Sequence, residues 1–156
     1  MASGEELRAL MRRFPAGVAV VSVDLGGERV GLTIGTLIPL SLEPPLVGFA
    51  VRREAALHEL LRATSSFGAS LLAAGQEWLA QHFARGVPPI ALWEGIDVRP
   101  DDGPPLLTGA IGWLTGRVSA EVPAGEDTFF VGEVASVEDG TRERPLVYVD
   151  RRYSSA

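Results

Sequence analysis

Residues 31–49 read GLTIGTLIPLSLEPPLVGF, from Gly31 to Phe49, a run with strand-like content broken where a strand should be continuous. Val30, Leu32, Ile34, Leu37, Ile38, Leu40, Leu42, Leu46 and Val47 supply apolar side chains for burial, while Gly31, Gly35, Pro39 and the Pro44-Pro45 pair interrupt them. Two readings are open on these residues alone. The stretch is a kinked edge strand, because Gly within a strand often marks a bulge, or it is a loop that receives a ligand. In the second reading Gly35 has no Cβ and lets backbone approach a flat molecule closely, while Thr33, Thr36 and Ser41 offer uncharged hydroxyls.

On the N-terminal side, Ser3-Gly4-Glu5-Glu6 has capping-box spacing, and Leu7, Leu10, Met11 and Phe14 follow at helical intervals. The spacing predicts a helix from about Gly4 to Arg13, stopped by Pro15. Gly17 to Asp24 is rich in β-branched residues, and Gly26-Gly27 supplies the turn for a return strand over Arg29 to Thr33. Pro45 to Val51 hardly alternates and reads as a strand buried on both faces.

Further along, helices are expected over 55–62 and 76–84, the second with Trp78, Leu79 and Phe83 inward, with a strand from Ser66 to Leu72 between them. A loop through Pro88-Pro89 leads to Trp93. The turn-rich stretch 100–105, PDDGPP, introduces a final β region with strands over 111–122, 128–138 and 145–149, followed by the tail Arg151-Arg152-Tyr153.

Composition narrows the function. The 156 residues, 46% of them hydrophobic, suit one domain over 1–156 with a single core. Eighteen Gly and 11 Pro in so apolar a chain point to many turns between short strands, hence a mainly β or β-rich α+β fold. The formal charge of −6, without a basic cluster, argues against nucleic acid. No apolar run is long enough to cross a bilayer and no signal core is present, so a cytoplasmic location away from membranes is expected.

Without Cys, thiolate chemistry and disulfides are excluded. His58 and His82 fall on different predicted helices outside any H-E-x-x-H pattern, so no metal site is expected. There is no G-x-S-x-G elbow, G-x-G-x-x-G or Walker loop, so any nucleotide needs another cradle.

Phe14-Pro15-Ala16-Gly17-Val18, the 31–49 stretch and Gly132-Glu133-Val134 together resemble the flavin reductase-like family, the FMN-binding split barrels that serve two-component monooxygenases. The family form G-(M/L)-T-x-(N/S)-(S/A)-F-x-S-(V/L)-S-L-(D/E)-P-P-L-V is matched by Gly31-Leu32-Thr33, Gly35-Thr36-Leu37 and Leu40-Ser41-Leu42-Glu43-Pro44-Pro45-Leu46-Val47. The resemblance spans Leu7 to Tyr153.

It implies a Greek-key, antiparallel split β-barrel of six or seven strands with flanking helices, paired as a homodimer. It also implies an NAD(P)H:flavin oxidoreductase that uses NADH or NADPH to reduce FMN, or FAD, and supplies a partner monooxygenase. By position, Thr33, Gly35, Thr36 and Leu37 would line the isoalloxazine ring, Ser41 would match the family's second serine, and Arg53 would pair with the phosphate. For Arg53 a solvated charge at a helix cap is the other reading.

The chain departs from the family pattern at several positions. Ala55 and Leu57 stand where Ser or Thr is common, and Gly35 where Asn or Ser is, so fewer hydrogen bonds reach the flavin. On the nicotinamide side, Asp127 and Val149 replace two family His residues, while Arg152-Tyr153 keeps the terminal R-Y. The lost histidines keep a second reading open, a flavin-binding electron carrier or flavin store without reductase turnover, and a split barrel that binds no flavin is a third.

Overall fold

The computed structural model of the chain describes residues 1–85 and 88–156. Helix α1 (Gly4–Met11) opens with the expected capping box, in which the Ser3 hydroxyl accepts from the Glu6 N–H and the Glu6 carboxylate accepts from the Ser3 N–H. It stops two residues before Arg13, with Arg12 as its C-cap. The single strand expected over 17–24 is two, β1 (Ala16–Gly17) and β2 (Ala19–Leu25). Between them the chain changes sheets at Val18, whose N–H donates to the Leu146 carbonyl and whose carbonyl accepts from the Leu72 N–H.

After the Gly26-Gly27 turn come β3 (Glu28–Ile34), β4 (Ile38–Leu42), β5 (Pro45–Arg52), α2 (Ala56–Thr64), β6 (Ser66–Leu71) and α3 (Glu77–Ala84). A four-residue helix α4 (Pro89–Leu92) stands where a loop was expected, opened by Pro89, whose fixed φ suits the first helical position. The chain ends with β7 (Gly112–Ala124), β8 (Asp127–Asp139), β9 (Leu146–Val149) and β10 (Arg152–Ser155), so the expected tail is a strand.

Seven strands form one antiparallel sheet in the order β3-β2-β6-β7-β8-β5-β4, and β1, β9 and β10 form a small second sheet. In a flat sheet β3 and β5 would be separated by five interstrand steps, about 24 Å. Instead they touch, because the sheet rolls about an apolar interior. Its edge strands β3 and β4 do not pair with each other, so the barrel stays open along one seam. Residues 35–37 bridge that seam covalently.

The interior holds Val21, Val30, Ile34, Val47, Phe49, Val51, Phe67 and Phe130, closed at one end by Leu57 and Leu61 of α2. Phe67 meets the Phe49 ring edge-on at 5.2 Å. Its own ring lies over Gly132, where a Cβ would stand 2.5 and 2.6 Å from ring carbons. The glycine makes room for the phenyl group. A second apolar cluster, including Val20, Leu72, Leu79, Phe83, Leu92, Leu107 and Leu146, joins α3 and α4 to the outside of β2.

Two expectations about packing change. Trp78 is 55% exposed rather than inward, because α3 buries Leu79, Ala80 and Phe83 and the Trp78 position lies off that stripe. Both histidine rings are hydrogen-bonded within the fold. His58 is buried with Nε2 2.8 Å from the Thr128 hydroxyl, and His82 Nε2 donates to the Leu92 carbonyl at 2.6 Å. Residues 38–42, part of the supposed ligand loop, form edge strand β4, bulged between Pro39 and Ser41. An edge tolerates Pro39 because the missing N–H costs no pairing there.

Candidate functional site

The loop that survives is Gly35-Thr36-Leu37, three residues outside the strands on either side. Strand β3 sets what each residue presents. Gly31 and Thr33 turn toward α3: a Cβ on Gly31 would meet Phe83, and the Thr33 hydroxyl donates to the Ala80 carbonyl at 2.6 Å. Gly35 continues the same alternation just past the end of the strand. There the helix no longer covers it, and a Cβ added to Gly35 would find only the Ala16 methyl, at 3.7 Å. Its φ is not in the left-handed region. Among the described residues, neither backbone conformation nor internal packing requires glycine at this position.

Thr36 is exposed, and its hydroxyl accepts the Ala50 N–H at 2.9 Å, which moors the loop to β5. The Thr33 hydroxyl thus spends its proton within the fold, whereas the exposed Thr36 hydroxyl, an acceptor here, keeps its O–H free to donate. Leu37 turns inward against the barrel interior. It lines an apolar cavity of about 320 Å³ together with Val18, Ile38, Val47, Ile111 and Leu146. Ser41 sits on β4 opposite Leu46, just after the bulge.

Two further cavities flank β3. One, about 270 Å³, is lined by Thr33, Ile34 and Gly35 with Ala16, Ala84, Tyr148 and Tyr153. The small sheet builds its wall, since Ala16, Tyr148 and Tyr153 are register partners across β1, β9 and β10. The two tyrosine rings lie 5.0 Å apart, tilted by 59°. Burial, with Tyr148 adding to it, pushes the Tyr153 phenol above its ordinary value, so it stays neutral at physiological pH.

The other cavity, about 300 Å³, lies between Val30, Gly31 and Leu32, the segment Glu54–Leu57, and Phe83 and Leu92. That segment opens α2, whose cap residue Ala55 offers no side-chain acceptor to the first N–H groups. An uncapped helix start favours an anion, although Glu54 sets a carboxylate against it. Arg53 stands just before. Its guanidinium Nη1 donates to the Gly125 carbonyl and its N–H to the Glu126 carbonyl, tying it to the β7–β8 turn while its side chain remains exposed.

Asp127 begins β8 opposite Arg52, with its Oδ1 buried and lacking a hydrogen-bond partner. The predicted nicotinamide-side group is thus divided. Tyr153 shares a cavity with Gly35, whereas Asp127 lies at the Arg52–Arg53 end of β5. Arg152 precedes Tyr153 on β10 and points to the opposite face of that sheet. The sequence reading omitted Ala16 and Tyr148. The available signal was a pair of tyrosines five apart around Asp150-Arg151, which make the β9–β10 turn at positive φ without glycine.

The fold is thus a rolled, open antiparallel sheet with an uncovered glycine loop at the end of β3 and cavities on either side of that strand. The model of the flavin reductase like domain matches residues 11–156, and the chain belongs to that family. The reductase component of 4-hydroxyphenylacetate 3-monooxygenase from Thermus thermophilus is 40% identical over 150 residues, covering 96% of this chain and 94% of its own. An NADH:FMN oxidoreductase from Rhodococcus erythropolis is 36% identical over 152 residues, covering 95% and 79%. Among solved structures, the Streptomyces globisporus NADH:FAD oxidoreductase SgcE6 superposes with a TM-score of 0.91 at 31% identity, covering 100% of this chain and 96% of that one.

Proposed function

We propose that the chain is an NAD(P)H:flavin oxidoreductase that reduces FMN, or FAD, and hands the reduced flavin to a partner monooxygenase. The observation that carries this reading is the uncovered face of Gly35, where the fold omits a side chain it has room for. The residues present fit a flavin nucleotide. Gly35 and Thr36 would hold the ring, and Leu37 would back the loop from within. Arg53 and the uncapped start of α2 would receive the phosphate.

A bound flavin would supply the electron-accepting ring for hydride from the nicotinamide. The chain's own task is to bring two flat rings together and exclude water, which needs no acid or base of its own. Asp127 and Val149 in place of the family's histidines are compatible with that task. Tyr153, neutral and half-buried, offers an apolar face beside the loop.

A homodimer completes this reading. Helix α1 buries none of its residues, and Leu7, Leu10, Met11 and Phe14 stand 47–68% exposed along one flank. A second copy is the occupant we assign to it, in a cytoplasmic single-domain enzyme. Light scattering should give twice the 16.6 kDa chain mass.

The deciding experiment follows NADH and NADPH oxidation by purified protein with added FMN or FAD. Flavin-stimulated oxidation is the expected result. Flavin binding without turnover would instead identify a carrier, and no flavin binding at all would overturn the assignment.

A further inference from the structure

Resting on the flavin nucleotide reading, we propose that His58 and Thr128 are a positioning pair that holds Arg53 and the start of α2 together around the flavin phosphate. A preference for FMN over riboflavin follows from it. Both residues are buried, 4% and 5% exposed, and neither lines the cavities that flank β3. They act through the chain segments that they join.

His58 lies in the first turn of α2, its N–H donating to the Ala55 carbonyl at 3.0 Å. Its ring reaches Thr128, the second residue of β8, with Nε2 2.8 Å from the hydroxyl. On its other side Nδ1 stands 3.1 Å from a Glu59 carboxylate oxygen, an acceptor. A neutral ring then presents Nε2 as an acceptor, and the Thr128 hydroxyl donates to it. Phe130 packs against the ring with centroids 5.4 Å apart. This buried bond holds the helix more firmly than the solvent-exposed Arg62–Glu121 pair, which also joins α2 to the β7–β8 ribbon.

Arg53 is fixed from the same short segment. Its N–H donates to the Glu126 carbonyl at 3.3 Å and its guanidinium to the Gly125 carbonyl, while Val51, two residues earlier, is the register partner of Thr128. Residues 125–128 thus carry Arg53 at one end and the first turn of α2 at the other. Arg52 takes both neighbouring carboxylates, Glu54 at 3.4 Å and Glu126 at 3.3 Å. Among the described residues no carboxylate pairs with Arg53, so its charge is open to an anion. Without the bond between His58 and Thr128 the helix start and Arg53 move independently, and a phosphate held by both loses its aligned grip.

The test titrates FMN and riboflavin into wild-type protein, Thr128→Val, Thr128→Ser and His58→Leu, with urea unfolding of each alongside. Thr128→Val removes the hydroxyl at nearly constant volume, whereas Thr128→Ser keeps it. In the Val and Leu variants the FMN dissociation constant should rise about five- to tenfold, while that of riboflavin stays within about twofold. The KM for FMN should rise with it at unchanged kcat, because the phosphate lies away from the reacting ring. Thr128→Ser should keep the wild-type ratio of FMN to riboflavin affinity.

An unchanged ratio in Thr128→Val and His58→Leu would overturn the proposal, and so would equal losses of both flavins, the mark of a pair that serves the fold alone. A loss of FMN in Thr128→Ser as large as in Thr128→Val would also overturn it, since the hydroxyl is still present. Wild-type protein that binds FMN no more tightly than riboflavin would overturn the phosphate reading at Arg53 itself, so the two failures are told apart.

Discussion

Gly35 faces the Ala16 methyl across a gap that a Cβ would fill at 3.7 Å, an ordinary contact distance, with no other atom within 4 Å. The pairing makes Gly35 separable from folding. In Gly35→Val the branched side chain projects into the space above the loop, so flavin binding should fall below detection by fluorescence titration. The melting temperature should move little. A large drop in thermal stability would show that the glycine serves the fold.

Arg53 has two tasks to separate. Its guanidinium meets a neutral acceptor in the Gly125 carbonyl, whereas the proposed phosphate contact pairs it with a charged one. Arg53→Ala should weaken FMN by about 1.5–3 kcal/mol while sparing riboflavin, which lacks the phosphate. Parallel titrations of the two flavins check this, and equal losses would make Arg53 purely structural.

Gly132 is the opposite case from Gly35. A methyl there would press into the fully buried Phe67 ring, itself wedged against Phe49. Gly132→Ala should cost about 1–3 kcal/mol in urea unfolding, the usual range for overpacking. A stability equal to wild type would mean the ring can shift aside freely.

The raised Tyr153 pKa carries a pH signature. The folded protein holds the phenolic proton to higher pH than the unfolded chain, which releases it near about 10. Stability from this group is therefore full below that value and declines as pH rises above it toward the folded pKa. Tyr153→Phe should remove that part of the alkaline slope, as measured by unfolding at pH 9 to 11.

Local features were legible in the sequence wherever the cause was local. The capping box of α1, the turn at Gly26-Gly27 and the absence of a side chain at Gly35 are all written in neighbouring residues. What could not be read was convergence. Tyr148 reaches Gly35 only because β9 pairs with β1 across some 130 residues of sequence, and periodicity does not say which strands pair. Likewise Thr33 and Thr36 show hydroxyls in the sequence, but not that Thr33 donates to the Ala80 carbonyl and Thr36 accepts from the Ala50 N–H. Trp78 was placed inward by adjacency to Leu79, though successive helical residues diverge by about 100°.

Helix α1 spans eight residues and buries none of them. Isolated helices shorter than about 12–15 residues are marginal in water, even when well capped. In the homodimer proposed above, a second copy covering Leu7, Leu10, Met11 and Phe14 would supply that helicity, which would make the N-terminal segment a gauge of assembly. Dilution that parts such protomers should then also melt α1, with loss of far-UV helical signal tracking protein concentration rather than temperature alone; a helical signal independent of concentration would count against the pairing.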